Sequence, residues 1–208
     1  MRTRAKICGL TRAEDVALAA QLGADAVGFV FAAGPRQVTP QLARDLAAAV
    51  PAWVNRVGVF GPDQKQEAPA IAEACRLDTI QLHGEPDAAF CAYFRGRFAV
   101  VQAISVGDAA VDKLQATLDE LAPHVDALLL DTAKAGMLGG TGETFDWRLL
   151  NILKAAKPVI IAGGLKPGNV SQLLAAYRPW GVDVSSGVES APGVKDVEKV
   201  RAFLAALT

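Results

Sequence analysis

Eight short, almost wholly apolar runs recur along the chain, and a longer amphipathic segment follows each of them. Short apolar runs of this kind are typical of β-strands that are buried on both faces. A strict alternation of strand and helix predicts a parallel sheet with right-handed crossovers, and eight units predict a closed (β/α)8 barrel, the TIM barrel. The predicted strands cover residues 5–8, 26–31, 55–60, 79–82, 99–104, 127–130, 158–162 and 182–184.

The segments between these runs are predicted to be helices. Thr11 and Glu14 have the spacing of a capping box, with Thr11 at the N-cap, and Thr39-Pro40 places a cap residue before a proline at the first helical position. The remaining helices are expected near 64–75, 86–95, 110–121, 146–155, 169–177 and 195–207.

The alternative fold is an open, doubly wound sheet. Such a sheet usually carries a glycine-rich GxGxxG loop after its first strand, and Cys8-Gly9-Leu10-Thr11 lacks that spacing. Because no linker, low-complexity segment or change of composition divides the chain, we expect residues 1–208 to form one catalytic barrel domain.

Charge and cysteine content narrow the possible partners. With 21 Lys and Arg against 22 Asp and Glu, the net charge of −1 gives no reason to expect a nucleic acid or an anionic membrane. Three widely spaced cysteines, Cys8, Cys75 and Cys91, form neither a disulfide framework nor a CxxC metal pattern, which favours a cytoplasmic protein. The two histidines have no metal-ligand spacing, so no metal site is expected.

The chemically distinctive residues follow the predicted strands. In a barrel the active site lies at the carboxyl ends of the strands, and ordinary turn chemistry is the alternative explanation for residues there. These residues are Cys8, Arg36, His83, Asp131, Gly163, Gly164, Ser185, Ser186 and Gly187.

The loops after strands seven and eight have the composition of a phosphate site. Ala162–Leu165 contains two adjacent glycines, and Ser185-Ser186-Gly187 precedes a short predicted helical turn. Glycines allow the backbone to approach a ligand closely, and unpaired N–H groups bind anions. The alternative is that both loops are tight turns that require glycine.

Asp131 and Cys8 are candidates for proton transfer. Desolvation at the end of an apolar strand raises the pKa of a carboxyl group, which would let Asp131 act as a general acid. Cys8 could act as a base if its pKa were lowered to give a thiolate. Alternatively, Asp131 caps a turn and Cys8 is a small buried apolar residue, as expected for Cys75 and Cys91 in predicted helices.

Two further residues could bind a substrate. Arg36 could hold a carboxylate with its planar guanidinium, or could be a solvated loop charge. His83 could be a base, or could be held by a backbone carbonyl.

Six motifs along the chain resemble those of phosphoribosylanthranilate isomerases. The similarity is carried in order by Lys6–Thr11, Gln81–Gly84, Leu130–Thr132, Gly139–Gly142 with Phe145–Trp147, Ala162–Leu165 and Asp183–Glu189. These motifs span nearly the whole chain. One difference is Gly34-Pro35-Arg36, where similar proteins often have Ser-Pro-Arg.

The resemblance implies a TIM barrel that catalyses the Amadori rearrangement of N-(5-phosphoribosyl)anthranilate without a cofactor, in tryptophan biosynthesis. It implies that Asp131 is the general acid, that Cys8 is the general base and that Arg36 holds the anthranilate carboxylate. Gly164 and Ser185–Gly187 would bind the phosphate, with Asp183 a polar contact near the sugar. Gly139–Gly142, within the loop 134–143, would form a lid. The family allows a monomer or a homodimer.

Two alternative functions are compatible with a barrel of this kind. A related phosphosugar isomerase of histidine biosynthesis would use similar phosphate loops, but such barrels usually carry an acidic residue in place of Cys8. A non-catalytic protein that binds phosphorylated metabolites would leave Cys8 and Asp131 without a shared purpose.

Overall fold

Eight parallel strands close into a barrel in the computed structural model, which describes residues 2–107, 110–132 and 145–207. Each strand pairs with its sequence neighbours, and the first pairs with the last, so the sheet has no open edge. The (β/α)8 prediction is therefore confirmed and the open sheet is excluded. The barrel strands are β1 (Arg4–Ile7), β2 (Ala26–Val30), β3 (Asn55–Phe60), β4 (Thr79–Leu82), β5 (Ala99–Ser105), β6 (Ala127–Asp131), β7 (Val159–Ile161) and β8 (Gly181–Val184).

The described residues also form seven α-helices and a two-stranded hairpin. The helices are α1 (Ala13–Gln21), α2 (Pro40–Ala48), α3 (Ala68–Ala74), α4 (Ala88–Phe94), α5 (Val111–Leu121), α6 (Val170–Ala176) and α7 (Val197–Ala205). The hairpin consists of β9 (Glu189–Ala191) and β10 (Val194–Lys195). Short 3₁₀ segments cover Pro62–Gln64, Ala122–His124, Trp147–Asn151 and Ser186–Val188.

The predicted strands agree with the observed ones to within about a residue, but three helix predictions differ. The segment 146–155 contains a 3₁₀ helix over Trp147–Asn151. Beyond it, Gln115 of α5 binds both the N–H and the carbonyl of Lys154, so Lys154 is not available for helical bonding. Helix α3 begins only at Ala68, with a proline in its first turn, where proline is tolerated. Helix α7 begins after Lys195, which belongs to the hairpin.

One of the two predicted helix caps is confirmed. The Thr39 side chain accepts a hydrogen bond from the N–H of Leu42, and Pro40 opens α2. The capping box at Thr11 is wrong: Arg12 is the N-cap of α1, and its side chain makes no capping bond. The Thr11 hydroxyl instead donates to the carbonyl of Gly193 at 2.7 Å, which ties the hairpin to the end of β1.

Apolar side chains form two separate cores. The larger core lies between the barrel and its surrounding helices and includes Ile7, Leu128 and Val182. The smaller core consists of alternate residues of β5, β6 and the β7 region, and includes Leu129. Because side chains alternate along a strand, the residues of the smaller core face the barrel interior. No helix of the described residues is long and apolar enough to cross a membrane.

Candidate active site

The register of the barrel brings a buried ion pair to its interior. Lys6 of β1 lies directly opposite Asp183 of β8 where the first and last strands meet. Its ammonium donates to the Asp183 carboxylate at 2.9 Å, and both side chains are about nine-tenths buried. The Asp183 charge holds the pKa of Lys6 above its ordinary value although burial acts in the opposite direction. Lys6 therefore carries a permanent positive charge inside the barrel.

Cys8 lies beside this pair. It is two residues beyond Lys6 on the same face of the chain, and its N–H donates to the carbonyl of Val184 at 2.8 Å. A methyl group added to Gly28 would lie 2.8 Å from the Cys8 sulfur and 3.1 Å from the Lys6 ammonium. Gly28 of β2 thus leaves the space in which the thiol and the ammonium approach each other.

The Cys8 thiol is not acidified in this structure. Burial raises its pKa, and Asp183 adds to that effect, whereas Lys6 and Lys195 lower it without reversing the net shift. The protonated thiol is therefore the resting form. A resting thiolate would require a lowered pKa, and the pKa of Cys8 is raised. A base at this position depends on its neighbours, above all Lys6, to stabilise the charged form.

His83 and Asp131 lie at the same mouth. Burial lowers the pKa of His83, which leaves a neutral imidazole, although Asp131 and Asp183 act to raise it. Both carboxylates influence this one ring, and Asp131 ends β6 two residues beyond inward-facing Leu129. The structure thus places Cys8, His83 and Asp131 at one end of the barrel, as the barrel rule predicted for strand-end residues. Asp183, which only the family resemblance suggested, lies within β8 beside them.

Arg36 makes a contact that the sequence interpretation did not include. Its Nε and Nη2 donate to the two carboxylate oxygens of Glu189 at 2.8 and 2.7 Å. The same carboxylate accepts a bond of 2.7 Å from the ammonium of Lys195, which is buried. Arg36 is therefore not a solvated loop charge.

The two glycine- and serine-containing loops pack against each other. A Cβ on Gly187 would coincide with the carbonyl of Leu165, so the loop after β8 lies directly on the loop after β7. Within the described residues, no acceptor is paired with the backbone N–H of Gly164 or Ser186. Gly164, Ser185 and Gly187 are half-buried and Ser186 is exposed, so the two loops are accessible from outside the barrel.

Gly163 has its own structural requirement. Its φ of +84° lies in the left-handed region, and a Cβ there would lie 2.6 Å from a carboxylate oxygen of Asp131 and 2.5 Å from the N–H nitrogen of Thr132. Glycine at this position thus lets the β7 loop contact the end of β6, beside Asp131.

Three functional candidates were missed from the sequence, namely Lys6, Glu189 and Lys195. A lysine in the middle of an apolar strand was the one available signal, since lysine is almost never buried without a partner. Glu189 and Lys195 had no such signal, because Lys195 fell within a predicted helix. The predicted lid at Gly139–Gly142 and the loop 134–143 lie outside the described residues.

Fold and site together define a (β/α)8 barrel with titratable side chains and glycine- and serine-containing loops at the carboxyl ends of its strands, the place where barrel enzymes have their active sites. The family model for N-(5′-phosphoribosyl)anthranilate (PRA) isomerase matches residues 5–206. The chain therefore belongs to the PRA isomerase family, and it is an isomerase.

Known relatives are similar along their whole length. The N-(5′-phosphoribosyl)anthranilate isomerase of Desulforudis audaxviator is 46% identical over 202 residues, which cover 97% of this chain and 96% of that protein. The crystal structure of the phosphoribosyl anthranilate isomerase of Thermotoga maritima is 34% identical, with a TM-score of 0.87 over 99% of this chain and 98% of its own.

One further solved structure contains a ligand. It is a phosphoribosyl anthranilate isomerase in complex with reduced 1-(o-carboxyphenylamino)-1-deoxyribulose 5-phosphate. It is 33% identical to this chain, with a TM-score of 0.83 over 99% of this chain and 98% of its own.

Proposed function

We propose that the chain converts N-(5-phosphoribosyl)anthranilate into 1-(2-carboxyphenylamino)-1-deoxyribulose 5-phosphate, with Asp131 as general acid and Cys8 as general base. The observation that carries this proposal is the placement of these two side chains at one barrel mouth, beside two loops that contain unpaired backbone donors. An Amadori rearrangement requires a proton donor at the ring oxygen, a base at C2 and a grip on the phosphate.

Asp131 acts first in the proposed sequence. Its protonated carboxyl group gives a proton to the furanose ring oxygen while the bond between that oxygen and C1 breaks. The lone pair of the anthranilate nitrogen forms the new double bond to C1, which gives a cationic Schiff base. This step needs the protonated form of the Asp131 carboxyl group.

Cys8 acts second. The thiol first loses its proton to solvent, and the resulting thiolate removes the proton from C2. The electron pair of that C–H bond moves to the Schiff base to give an enolamine. The C2 hydroxyl then loses its proton while C1 gains one, which leaves the ketone. Because burial keeps the resting thiol protonated, the Lys6 ammonium and the newly formed cationic Schiff base are the charges that make the thiolate accessible.

Arg36 holds the anthranilate carboxylate in this proposal. Nε and one N–H of Nη2 donate to Glu189. Among the described residues, no partner is bonded to Nη1 or to the second N–H of Nη2, which together form the end of the guanidinium. A guanidinium has five N–H donors, so it can bind two carboxylates at once. The pairing with Glu189 is thus compatible with substrate binding.

The remaining polar groups bind the rest of the substrate. Gly164, Ser185, Ser186 and Gly187 take the phosphate through backbone donors, with Gly163 setting the turn. Neutral His83 and Asp183 contact the sugar hydroxyls. These proposed roles need proton transfer and hydrogen bonding, and the described residues contain no cluster of three or more His, Cys, Asp or Glu suited to a metal ion.

We propose a cytoplasmic location and a single catalytic domain over residues 1–208. In support, Cys8, Cys75 and Cys91 are all buried free thiols, which is typical of a reducing compartment. Either a monomer or a homodimer is compatible with this site, since every proposed contact comes from one chain.

The decay of anthranilate fluorescence with freshly prepared substrate tests the activity. Fast decay with the unmodified protein, cut by about 10²–10⁴-fold in Cys8→Ser and Asp131→Asn, is the expected result for general acid–base groups. Absence of turnover by the unmodified protein would refute the function. Turnover of the related histidine-pathway substrate alone would favour the alternative isomerase.

A further inference from the structure

A buried group of three charges lies beside the proposed substrate site. Glu189 starts β9 and Lys195 ends β10, and the two residues face each other across the hairpin. Arg36 comes from the loop after β2, 153 positions away from Glu189 in the chain. The carboxylate bonds both cations, and its side chain is 5% exposed.

The group holds one carboxylate for two cations. Burial and the two flanking cations act in opposite directions on Glu189, and the net effect lowers its pKa, so it is ionised. Burial lowers the pKa of Lys195, against the opposing effect of Glu189. With Arg36 and Lys195 both protonated, these three side chains have one more positive than negative charge in a partly desolvated place. A second carboxylate, supplied by a ligand, would neutralise it, because buried charges are stable only when paired.

Glu189 also fixes where the Arg36 guanidinium points. The two bonds from Nε and Nη2 define the plane of the group and direct its Nη1–Nη2 end away from Glu189. Lys195 in turn anchors the carboxylate, because it donates to both Glu189 and the Ser185 carbonyl, at 2.7 and 3.2 Å. The Lys199 ammonium donates to the Glu189 carbonyl at 2.7 Å and fixes the backbone of the hairpin.

We propose that Glu189, anchored by Lys195, is a positioning residue that aims Arg36 at the carboxylate of the aromatic substrate and so selects an acidic arylamine. This inference rests on the proposed function. Glu189 itself does not touch the reacting atoms in this proposal. It acts through the orientation of Arg36, and its contribution is confined to ligands that carry the carboxylate.

Two matched ligands separate this role from a general structural one. The first is reduced 1-(o-carboxyphenylamino)-1-deoxyribulose 5-phosphate, and the second is the same compound without its carboxyl group. Their dissociation constants are measured by titration calorimetry with the unmodified protein, Arg36→Met, Glu189→Gln and Glu189→Asp. We expect Glu189→Gln to weaken the first ligand by about 10- to 100-fold, the scale of one charge-assisted contact, and to leave the second unchanged.

The double variant Glu189→Gln with Lys195→Met distinguishes the orientation of Arg36 from the net charge around it. It removes one negative and one positive charge, so the single surplus positive charge of the group is kept while the anchor of Arg36 is lost. Weak binding of the first ligand by this variant supports positioning. Binding of the first ligand as tight as in the unmodified protein would overturn it, since Arg36 would then bind the carboxylate without its anchor.

The remaining outcomes are also decisive. Equal weakening of both ligands in Glu189→Gln would overturn the inference in favour of a structural role. If Arg36→Met removes the preference for the carboxylate and the Glu189 variants keep it, the inference fails while the proposed role of Arg36 survives. If the unmodified protein shows no preference, both fail together. Partial recovery of the preference in Glu189→Asp, which keeps the charge, supports positioning.

Discussion

Replacing Lys6 by methionine is expected to raise the pKa of the Cys8 thiol further and to slow its reactions near neutral pH. Lys6 is the strongest influence that lowers the pKa of Cys8, against burial and against Asp183. Methionine has a similar length and no charge, so the change removes the ammonium and leaves most of the packing.

The size of the effect follows from the proximity of two buried groups. An opposite charge within hydrogen-bonding range shifts a pKa by about 1–3 units. Since the resting pKa is already above its ordinary value, the thiolate fraction near neutral pH falls tenfold for each unit. We therefore expect alkylation of Cys8 to slow by about 10- to 1,000-fold.

The assay follows modification of Cys8 by a small alkylating reagent as a function of pH, with the site identified by mass spectrometry. The midpoint of the pH profile reports the pKa directly and does not depend on turnover. The same shift is expected in the pH dependence of kcat/KM on its acidic side.

Two companion variants guard against an effect of misfolding. Lys6→Met leaves Asp183 buried and unpaired, whereas Lys6→Met with Asp183→Asn removes both charges, which is far less costly than removing one. The midpoint for Cys8 should be highest in the single Lys6 variant, intermediate in the double variant and lowest in Asp183→Asn. Identical midpoints in folded Lys6→Met and the unmodified protein would refute the reasoning.

Three further predictions concern stability, each measured by reversible unfolding in urea. The pKa of His83 is lower in the folded protein than its value of about 6.5 in the unfolded chain. As the pH falls below about 6.5, the unfolded state binds a proton at this imidazole that the folded state does not, so stability falls. His83→Gln should reduce the loss of stability between pH 7.5 and 5.5. His124→Gln is the control for the exchange of an imidazole for an amide. An unchanged loss of stability in His83→Gln would contradict the prediction. Exposed Arg76 ends α3 with a left-handed φ of 51°, so Arg76→Gly should stabilise by about 0.5–1 kcal/mol and Arg76→Ala should not. Gly163→Ala should lower the free energy of unfolding by about 2–4 kcal/mol, because alanine there has both an unfavourable positive φ and close contacts. Gly23→Ala should lower it by only about 1 kcal/mol, because φ is +93° but no atom lies within 4 Å of the added Cβ. Equal losses would show that the crowding at Gly163 relaxes.

The strands and their order were predictable from the sequence, for a simple physical reason. Strands buried on both faces need continuous apolar residues, and this chain places a turn or a helix between each pair of them. Their carboxyl ends then had to meet at one mouth, which brought Cys8, His83, Asp131 and the loops after β7 and β8 together without any knowledge of the register. Local chemistry likewise predicted the start of α2 at Thr39-Pro40.

Contacts between distant segments decided the rest. Thr11 is a residue type that often caps helices, but its hydroxyl donates instead to the carbonyl of Gly193 in the hairpin, 182 residues further along the chain. Lys6 contacts Asp183 only because the barrel closes with one register, and Arg36 contacts Glu189 only because the hairpin lies against the loop after β2. The pKa of Cys8 depends on those same partners and on burial. Residue type and spacing thus determined which groups reach the site, while closure of the barrel determined their charges and partners, because electrostatic interactions depend on distances that the sequence alone does not contain.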